Sequence, residues 1–124
     1  MLKSWLRPGP YDLKSDWRLP GTHAPGISDA ITFVEGVSKP EFFEDKRTQQ
    51  AVIMSLIIIG EASTKIMDQH PEFAAAQPQV PWRSMRGMRN RIAHGYFDIN
   101  LEVVWDTVQH ALPELLNNLP AAPA

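Results

Sequence analysis

The segment from about residue 45 to residue 69 restricts the fold of this chain more than any other. Its apolar residues recur every three or four positions, which is the spacing of one face of a helix. That face consists of Val52, Leu56, Ile59, Ser63 and Ile66. Isoleucines at positions 53, 57 and 58 also suit a strand, but the length of the segment and its flanking Ala, Glu, Lys and Gln residues favour a helix. A helix that is apolar on several sides is typical of the centre of a bundle or of a subunit interface.

Two segments on either side of this helix also carry helix signals. Ser28 is suited to cap a short helix over about residues 29–37. Pro81 suits the first turn of a helix that runs to His94, and Gly95 is expected to end that helix.

A last helix is expected after a cap at Asn100. Its apolar stripe continues for five turns and consists of Leu101, Val104, Val108, Leu112, Leu115 and Leu119. Pro113 is expected to kink this helix and to free the carbonyl of Gln109, because proline has no N–H to donate. Residues 71–80, with two prolines, are interpreted as a connector. These segments together predict an all-α protein, a bundle of about four helices with an irregular N-terminal arm.

Composition divides the chain into an arm, a helical domain and a tail. Residues 1–26 hold four of the eleven prolines and three of the seven glycines. Prolines at this density forbid a continuous helix, so these residues are predicted to be irregular. Residues 27–119 are predicted to form the helical domain, and the proline- and alanine-rich residues 120–124 a frayed tail.

The sequence favours a soluble, cytoplasmic protein. It contains no cysteine, and therefore neither a disulfide nor a thiolate ligand for a metal. The first residues lack the apolar core of a secretory signal. The most apolar run is nine residues long, whereas a membrane span needs about 20. No membrane insertion is therefore expected.

The candidate site lies between residues 83 and 96. Four arginines crowd into this segment: Arg83, Arg86, Arg89 and Arg91. No acidic residue occurs from Phe73 to Phe97, although the formal net charge of the chain is −2. A local positive field of this kind attracts phosphate. His94 lies inside it, and histidine is the side chain that most readily moves protons near neutral pH.

These residue types are suited to cleaving an RNA phosphodiester without a metal. The 2′-hydroxyl next to the scissile phosphate supplies the nucleophile, and His94 can act as acid or base. Arg89 can hold the phosphate through two parallel hydrogen bonds. Asn90, one turn before His94, can orient the histidine or donate to a phosphate oxygen. A single histidine per chain leaves either the acid or the base missing, and a symmetric dimer with two such segments in one cleft would supply it.

Other interpretations of the same residues remain open at this point. A helix with several arginines is more often a solvated face, and a histidine near a helix C-terminus often only stabilises the helix dipole. An aromatic residue just after a helix commonly packs on the core, so Tyr96 can simply lie beside Phe97 and close the end of the helix. The sequence contains no His-Glu-x-x-His motif and no glycine-rich phosphate loop, so no metal site and no cofactor are predicted. Gly60 is interpreted as a small residue that permits close helix packing.

The segment from Arg89 to Tyr96 resembles the R-x4-H-x-Y motif of the HEPN superfamily, and within it the HepT-like toxins. Three flanking pieces agree with this resemblance: Ile58-Ile59-Gly60-Glu61-Ala62, Pro81-Trp82-Arg83 and Leu101-Glu102-Val103-Val104-Trp105. The Arg-x4-His pattern alone has low specificity, but these pieces in this order are quite specific. The resemblance covers roughly residues 27 to 119.

The resemblance implies a function as well as a fold. Such proteins are helical bundles that dimerise and form a metal-independent RNase cleft from both chains. Arg89 and His94 match the catalytic pair, Asn90 matches its usual polar neighbour, and Tyr96 matches the tyrosine that an MntA-like nucleotidyltransferase modifies with AMP. The implied function is the toxin of a type VII-like toxin–antitoxin module, with RNA as substrate. The alternative is a non-catalytic adaptor subunit that binds a minimal nucleotidyltransferase.

Overall fold

A computed structural model describes residues 25–95 and 98–119 of the 124-residue chain. Within these ranges the regular secondary structure is helical throughout, which confirms the predicted all-α class. The helices are α1 (Pro25–Phe33), α2 (Lys39–Glu44), α3 (Lys46–Gln69), α4 (Pro71–Ala75), α5 (Trp82–His94), α6 (Leu101–Asp106) and α7 (Leu112–Asn118), with a π-helical turn at Thr107–Ala111 between α6 and α7. The predicted arm up to residue 24 and the tail from residue 120 lie outside the described residues.

Helix α3 is the centre of the bundle, as its many-sided apolar pattern predicts. Helices α1 and α5 pack along it, and its predicted apolar face is buried. By length and composition α3 would also suffice to cross a membrane, but half of its most apolar window is buried inside the protein. Its apolar character therefore has a sufficient explanation in the core of the bundle.

Helix α1 begins at Pro25 rather than at the predicted Asp29, and it ends at Phe33. Ser28 consequently lies inside the helix and does not cap it. Gly26 is buried against α3, where a Cβ atom would lie 2.9 Å from the side chain of Ile59. Packing of this first turn on α3 thus outweighs the local capping signal, and the last two residues of the predicted arm are helical.

Two short helices appear where no helix was predicted. Helix α2 has a capping box, in which Ser38 and Glu41 each accept from the other's backbone N–H. Asp45 then caps α3 by accepting from the backbone and hydroxyl of Thr48, and these hydrogen bonds hold the pKa of Asp45 below its usual range. Helix α4 occupies the first half of the predicted connector, with Pro71 in its first turn.

The ends of α5 are close to their predicted positions. Pro81 immediately precedes the helix, and the indole N–H of Trp82 donates to the carbonyls of Ala74 and Gln77, which ties the start of α5 to the connector. Gly95 follows the last helical residue, and its N–H donates to the carbonyl of Arg91. The prediction that Gly95 ends the helix is confirmed, and its φ of −135° shows that it does so without a left-handed conformation.

The buried residues of the C-terminal helical run lie on the predicted apolar stripe. Pro113 is accommodated by the π-helical turn that precedes it. Asn100 caps α6 by accepting from the N–H groups of Glu102 and Val103. The N–H of Leu112 then donates to the carbonyl of Thr107, five residues back. In an α-helix, proline clashes with the carbonyl four residues before it. A π turn relieves this clash because its hydrogen bonds reach five residues back instead of four.

Candidate functional site

Helix α5 carries the candidate site on its solvent side. Its buried face consists of Trp82, Met85 and Ile92, which pack into the core. With about 100° per residue, Asn90 and His94 lie on the opposite side, one turn apart. Asn90 is half-buried and His94, the last residue of the helix, is exposed. Asn90 and His94 therefore share one solvent-accessible face of α5.

Arg89 lies on the flank of α5 that turns towards α3. Its Nε is 2.8 Å from Oε1 of Glu61 on that helix, and the side chains of Arg89 and Glu61 are 25% and 47% exposed. The Nε atom itself is buried and its N–H is not directed at the carboxylate oxygen, so the contact is an ion pair and not a hydrogen bond. The base of the guanidinium is thus withdrawn from solvent while the rest of the side chain is partly exposed.

A glycine brings the two helices together at this point. Gly60 is buried, and a Cβ atom added to it would overlap Cβ of Arg89 and lie 2.8 Å from the carbonyl oxygen of Met85. The prediction that Gly60 permits close helix packing is confirmed. One turn along α3, the buried hydroxyl of Ser63 lies 3.5 Å from the sulfur of Met85. The stem of Arg89 is therefore fixed by the contact between the helices.

Two more arginines line an open groove at the start of α5. Arg83 and Arg86 face a cavity of about 720 Å³ between the end of α3, the connector and α5. Arg86 is 3.8 Å from Asp68, and the side chains of Arg86 and Asp68 are 36% and 65% exposed. Surface ion pairs at this distance contribute little to stability, so Arg86 is available to an incoming anion. The sequence predicted the positive charge of this segment but not the groove beside it.

The solvent-facing side of α3 is partly apolar. Met54 and Ile58 are 56% and 40% exposed, and Ile57 is half-buried beside them. With a helical spacing of three or four residues, this patch continues directly to Glu61. An exposed apolar patch beside a candidate site is typical of a surface that another protein covers.

The structure brings some of the predicted site residues together and not others. Asn90 and His94 share the exposed face of α5, whereas Arg89 points to the flank and contacts Glu61. Tyr96 lies outside the described residues. Sequence reasoning assigned no role to Glu61. A signal was present, since Glu61 is the only acidic residue between Asp45 and Asp68.

Comparisons with known proteins agree on one family. A family model described as ribonuclease HepT-like matches residues 26–122. A protein of Thermococcus cleftensis named as a probable ribonuclease HepT is 41% identical over 93 residues, which is 72% of this chain and 82% of that protein. A protein of Methanocaldococcus jannaschii named as a candidate RNase is 41% identical over 87 residues, which is 70% of this chain and 69% of that protein. No solved structure matches this chain.

Proposed function

This chain belongs to the HepT-like ribonuclease family of the HEPN superfamily, and we propose that it is a toxin that cleaves RNA without a metal ion. The observation that carries the proposal is the position of three side chains on α5. Arg89 is anchored between α3 and α5, and Asn90 and His94 lie on the exposed face of the same helix, with His94 about 140° round the helix axis from Arg89. A fixed cation and a solvent-accessible histidine on one helix are the two kinds of group that the proposed cleavage of a phosphodiester uses.

The proposed reaction uses the RNA as its own nucleophile. The 2′-oxygen forms a bond to phosphorus while the bond from phosphorus to the 5′-oxygen breaks, which gives a 2′,3′-cyclic phosphate and a 5′-hydroxyl. One histidine removes the proton of the 2′-hydroxyl and another donates a proton to the leaving 5′-oxygen. Arg89 offsets the charge that grows on the phosphate, and Asn90 donates to a phosphate oxygen.

We propose that a second copy of the chain supplies the second histidine. The exposed apolar patch of Met54 and Ile58 continues to Glu61 and hence to Arg89. If a partner copy covers this patch, the two α5 helices meet near a shared cleft, so that one His94 serves as base and the other as acid. The proposal therefore predicts a cytoplasmic homodimer as the active form.

The reaction is tested with purified protein and RNA in the presence of EDTA. We expect cleavage with cyclic phosphate ends, and sedimentation of the same preparation should show a dimer. An active, monodisperse monomer would exclude the shared cleft. If the protein cuts no RNA in EDTA and its expression does not arrest growth, the adaptor function replaces the ribonuclease.

The groove arginines should strengthen RNA binding in a salt-dependent way. For single strands the slope of log affinity against log salt changes by about 0.7 per phosphate contact. We therefore expect Arg83→Ala with Arg86→Ala to reduce the slope by up to about 1.4. The measurement is a salt titration of RNA binding by fluorescence anisotropy, with cleavage blocked by 2′-O-methyl groups at every position of the RNA.

A matched control is available at the other end of α3. Lys46→Ala with Arg47→Ala removes the same charge about 30 Å from the groove, given a rise of about 1.5 Å per residue. The slope should then remain close to that of the wild type. Equal changes in both double variants would mean that only net charge matters and that the groove holds no phosphate.

We further propose that a partner nucleotidyltransferase, the antitoxin of a type VII-like module, silences the protein by adding AMP to Tyr96. The proposal rests on the family motif, in which this tyrosine follows the histidine by two positions. The added phosphodiester is an anion close in sequence to Arg89 and Arg91, so it would compete with substrate phosphate for the same donors.

The tyrosine prediction is tested by co-expression with the partner enzyme. Wild-type protein should gain the mass of one or more AMP groups and lose RNA cleavage. Tyr96→Phe should remain unmodified and remain toxic, because only the acceptor hydroxyl is removed. Tyr11→Phe is the control, since Tyr11 is the only other tyrosine in the chain. Modification of the Tyr96→Phe protein, or full cleavage by modified wild type, would contradict this role.

A further inference from the structure

We infer that Glu61 is a positioning residue that holds Arg89 by its Nε edge and directs the rest of the guanidinium towards the scissile phosphate. The inference rests on the proposed function, because it assigns a task to Glu61 within the same reaction. It begins from the ion pair of 2.8 Å between Nε of Arg89 and Oε1 of Glu61.

The Arg89 side chain is held at two points. Its stem is packed against Gly60, where not even a methyl group would fit. Its Nε is buried at the contact between α3 and α5, and the Glu61 carboxylate is the charge next to it. With both points fixed, the terminal Nη groups have few directions left. A planar guanidinium bound at its Nε side still presents two N–H groups of the Nη edge, which match the two oxygens of a phosphate.

The Glu61 carboxylate has opposite effects on substrate binding and on the chemical step. A carboxylate beside the cleft repels RNA phosphate and therefore weakens substrate binding. Because the arginine that it orients acts mainly on the transition state, the carboxylate raises the rate of the chemical step. A residue of this kind lowers the free energy of the transition state without strengthening binding of the substrate, which separates its effects on kcat and KM.

A purely structural ion pair between α3 and α5 would behave differently. Loss of such a pair lowers the fraction of folded protein, and the apparent activity follows that fraction with KM unchanged. A carboxylate that acts only as a brake on RNA binding would give a lower KM with an unchanged or higher kcat. The value of kcat per folded molecule, taken together with KM, therefore distinguishes the positioning role from both.

The first experiment compares Glu61→Gln with Glu102→Gln in RNA cleavage. Both variants remove one negative charge from an ion pair of similar length, 2.8 Å at Glu61 and 2.7 Å at Glu102. Glu102, however, lies on α6 and pairs with Lys39 of α2, away from the groove and α5. A misplaced catalytic group costs about 10²-fold in rate. We therefore expect kcat of Glu61→Gln to fall about 10- to 100-fold per folded molecule, with KM equal to or below that of the wild type. Glu102→Gln should change kcat less than about twofold.

Glu61→Asp provides the conservative variant. It keeps the charge but shortens the side chain by one methylene, so part of the lost kcat should return. If Glu61→Gln does not fold, Glu61→Asp still tests the inference. Circular dichroism and urea unfolding give the folded fraction of each variant. An unchanged kcat in both variants would overturn the inference.

A double-mutant cycle shows whether Glu61 acts through Arg89. In the Arg89→Ala background, Glu61→Gln should reduce the residual kcat less than about twofold, because the group that it positions is absent. The same 10- to 100-fold loss in both backgrounds would overturn the inference, since Glu61 would then act by another route.

A spectroscopic readout separates this inference from the proposed function. The Nε–H of Arg89 is buried, and the neighbouring Glu61 carboxylate repels the hydroxide ion that catalyses its exchange. Its resonance, identified by its loss in Arg89→Lys, should therefore exchange slowly with solvent in the wild type and faster in Glu61→Gln. This measurement needs no RNA. If the wild type cuts no RNA, the proposed function fails while the exchange rate still tests the positioning. If the Arg89 exchange rate is the same in both proteins, the inference fails even when RNA is cleaved.

Discussion

Replacing His94 with alanine should lower the rate of RNA cleavage by about 10²- to 10⁴-fold, which is the usual contribution of a general acid or base. Growth arrest on expression should disappear with it. His94 is exposed at the end of α5, so its loss should change the free energy of unfolding by no more than about 0.5 kcal/mol. The measurements are the cleavage rate in EDTA, the growth of expressing cells and the urea midpoint.

His110→Ala is the matched control for this prediction. His110 is also exposed, but it lies in the π turn of the C-terminal run and not on α5. Its variant should retain both cleavage and growth arrest. An equally toxic His94→Ala protein would show that growth arrest does not depend on proton transfer at this position, and it would favour the adaptor function.

Replacing Gly60 with alanine should destabilise the protein and also remove its activity. Alanine normally stabilises a helix interior by about 1 kcal/mol relative to glycine. At position 60 the added methyl would meet Cβ of Arg89 and the backbone of Met85, neither of which can rotate away. Overpacking costs about 1–3 kcal/mol and occasionally more. We expect a net loss of about 2 kcal/mol for alanine and a larger loss for valine.

Gly87→Ala should have the opposite effect on the stability of the protein. Gly87 also lies inside a helix, but a Cβ atom there would have no neighbour within 4 Å. The alanine variant should therefore be more stable than the wild type by about 0.5–1 kcal/mol. Urea unfolding of both variants gives the comparison. A Gly60→Ala protein as stable as Gly87→Ala would mean that α3 and α5 do not meet at this contact.

The local sequence was sufficient to predict most of the helices. The ends of α3 and α5 follow from capping residues, prolines and glycines close in sequence to them, and the buried stripe follows from the helical period. The start of α1 was predicted wrongly, since it depends on Gly26 packing against a residue more than 30 positions away. Helices α2 and α4 were missed because one or two turns are too short for a periodic pattern.

The candidate site was predictable only in part, for a related reason. The order of Arg89, Asn90 and His94 along the chain determines their directions around α5, and the family motif assigns their chemistry. The pairing of Arg89 with Glu61 depends on how α3 and α5 cross, which neither segment specifies alone. Gly60 sets the distance of that crossing, and its importance becomes visible only when both helices are placed.

The π turn between α6 and α7 divides the domain into parts that need not open together. Between α6 and α7 the backbone hydrogen bonds are shifted by one residue. Helix α7 also packs against α1, which lies at the other end of the described chain. Local unfolding can then release α7 by itself, because α1 packs mainly along α3 and stays with α3 and α5. Amide protons of α3 and α5 would exchange with solvent last, so the pair of helices that carries Arg89 and Glu61 would be the most persistent part of the protein.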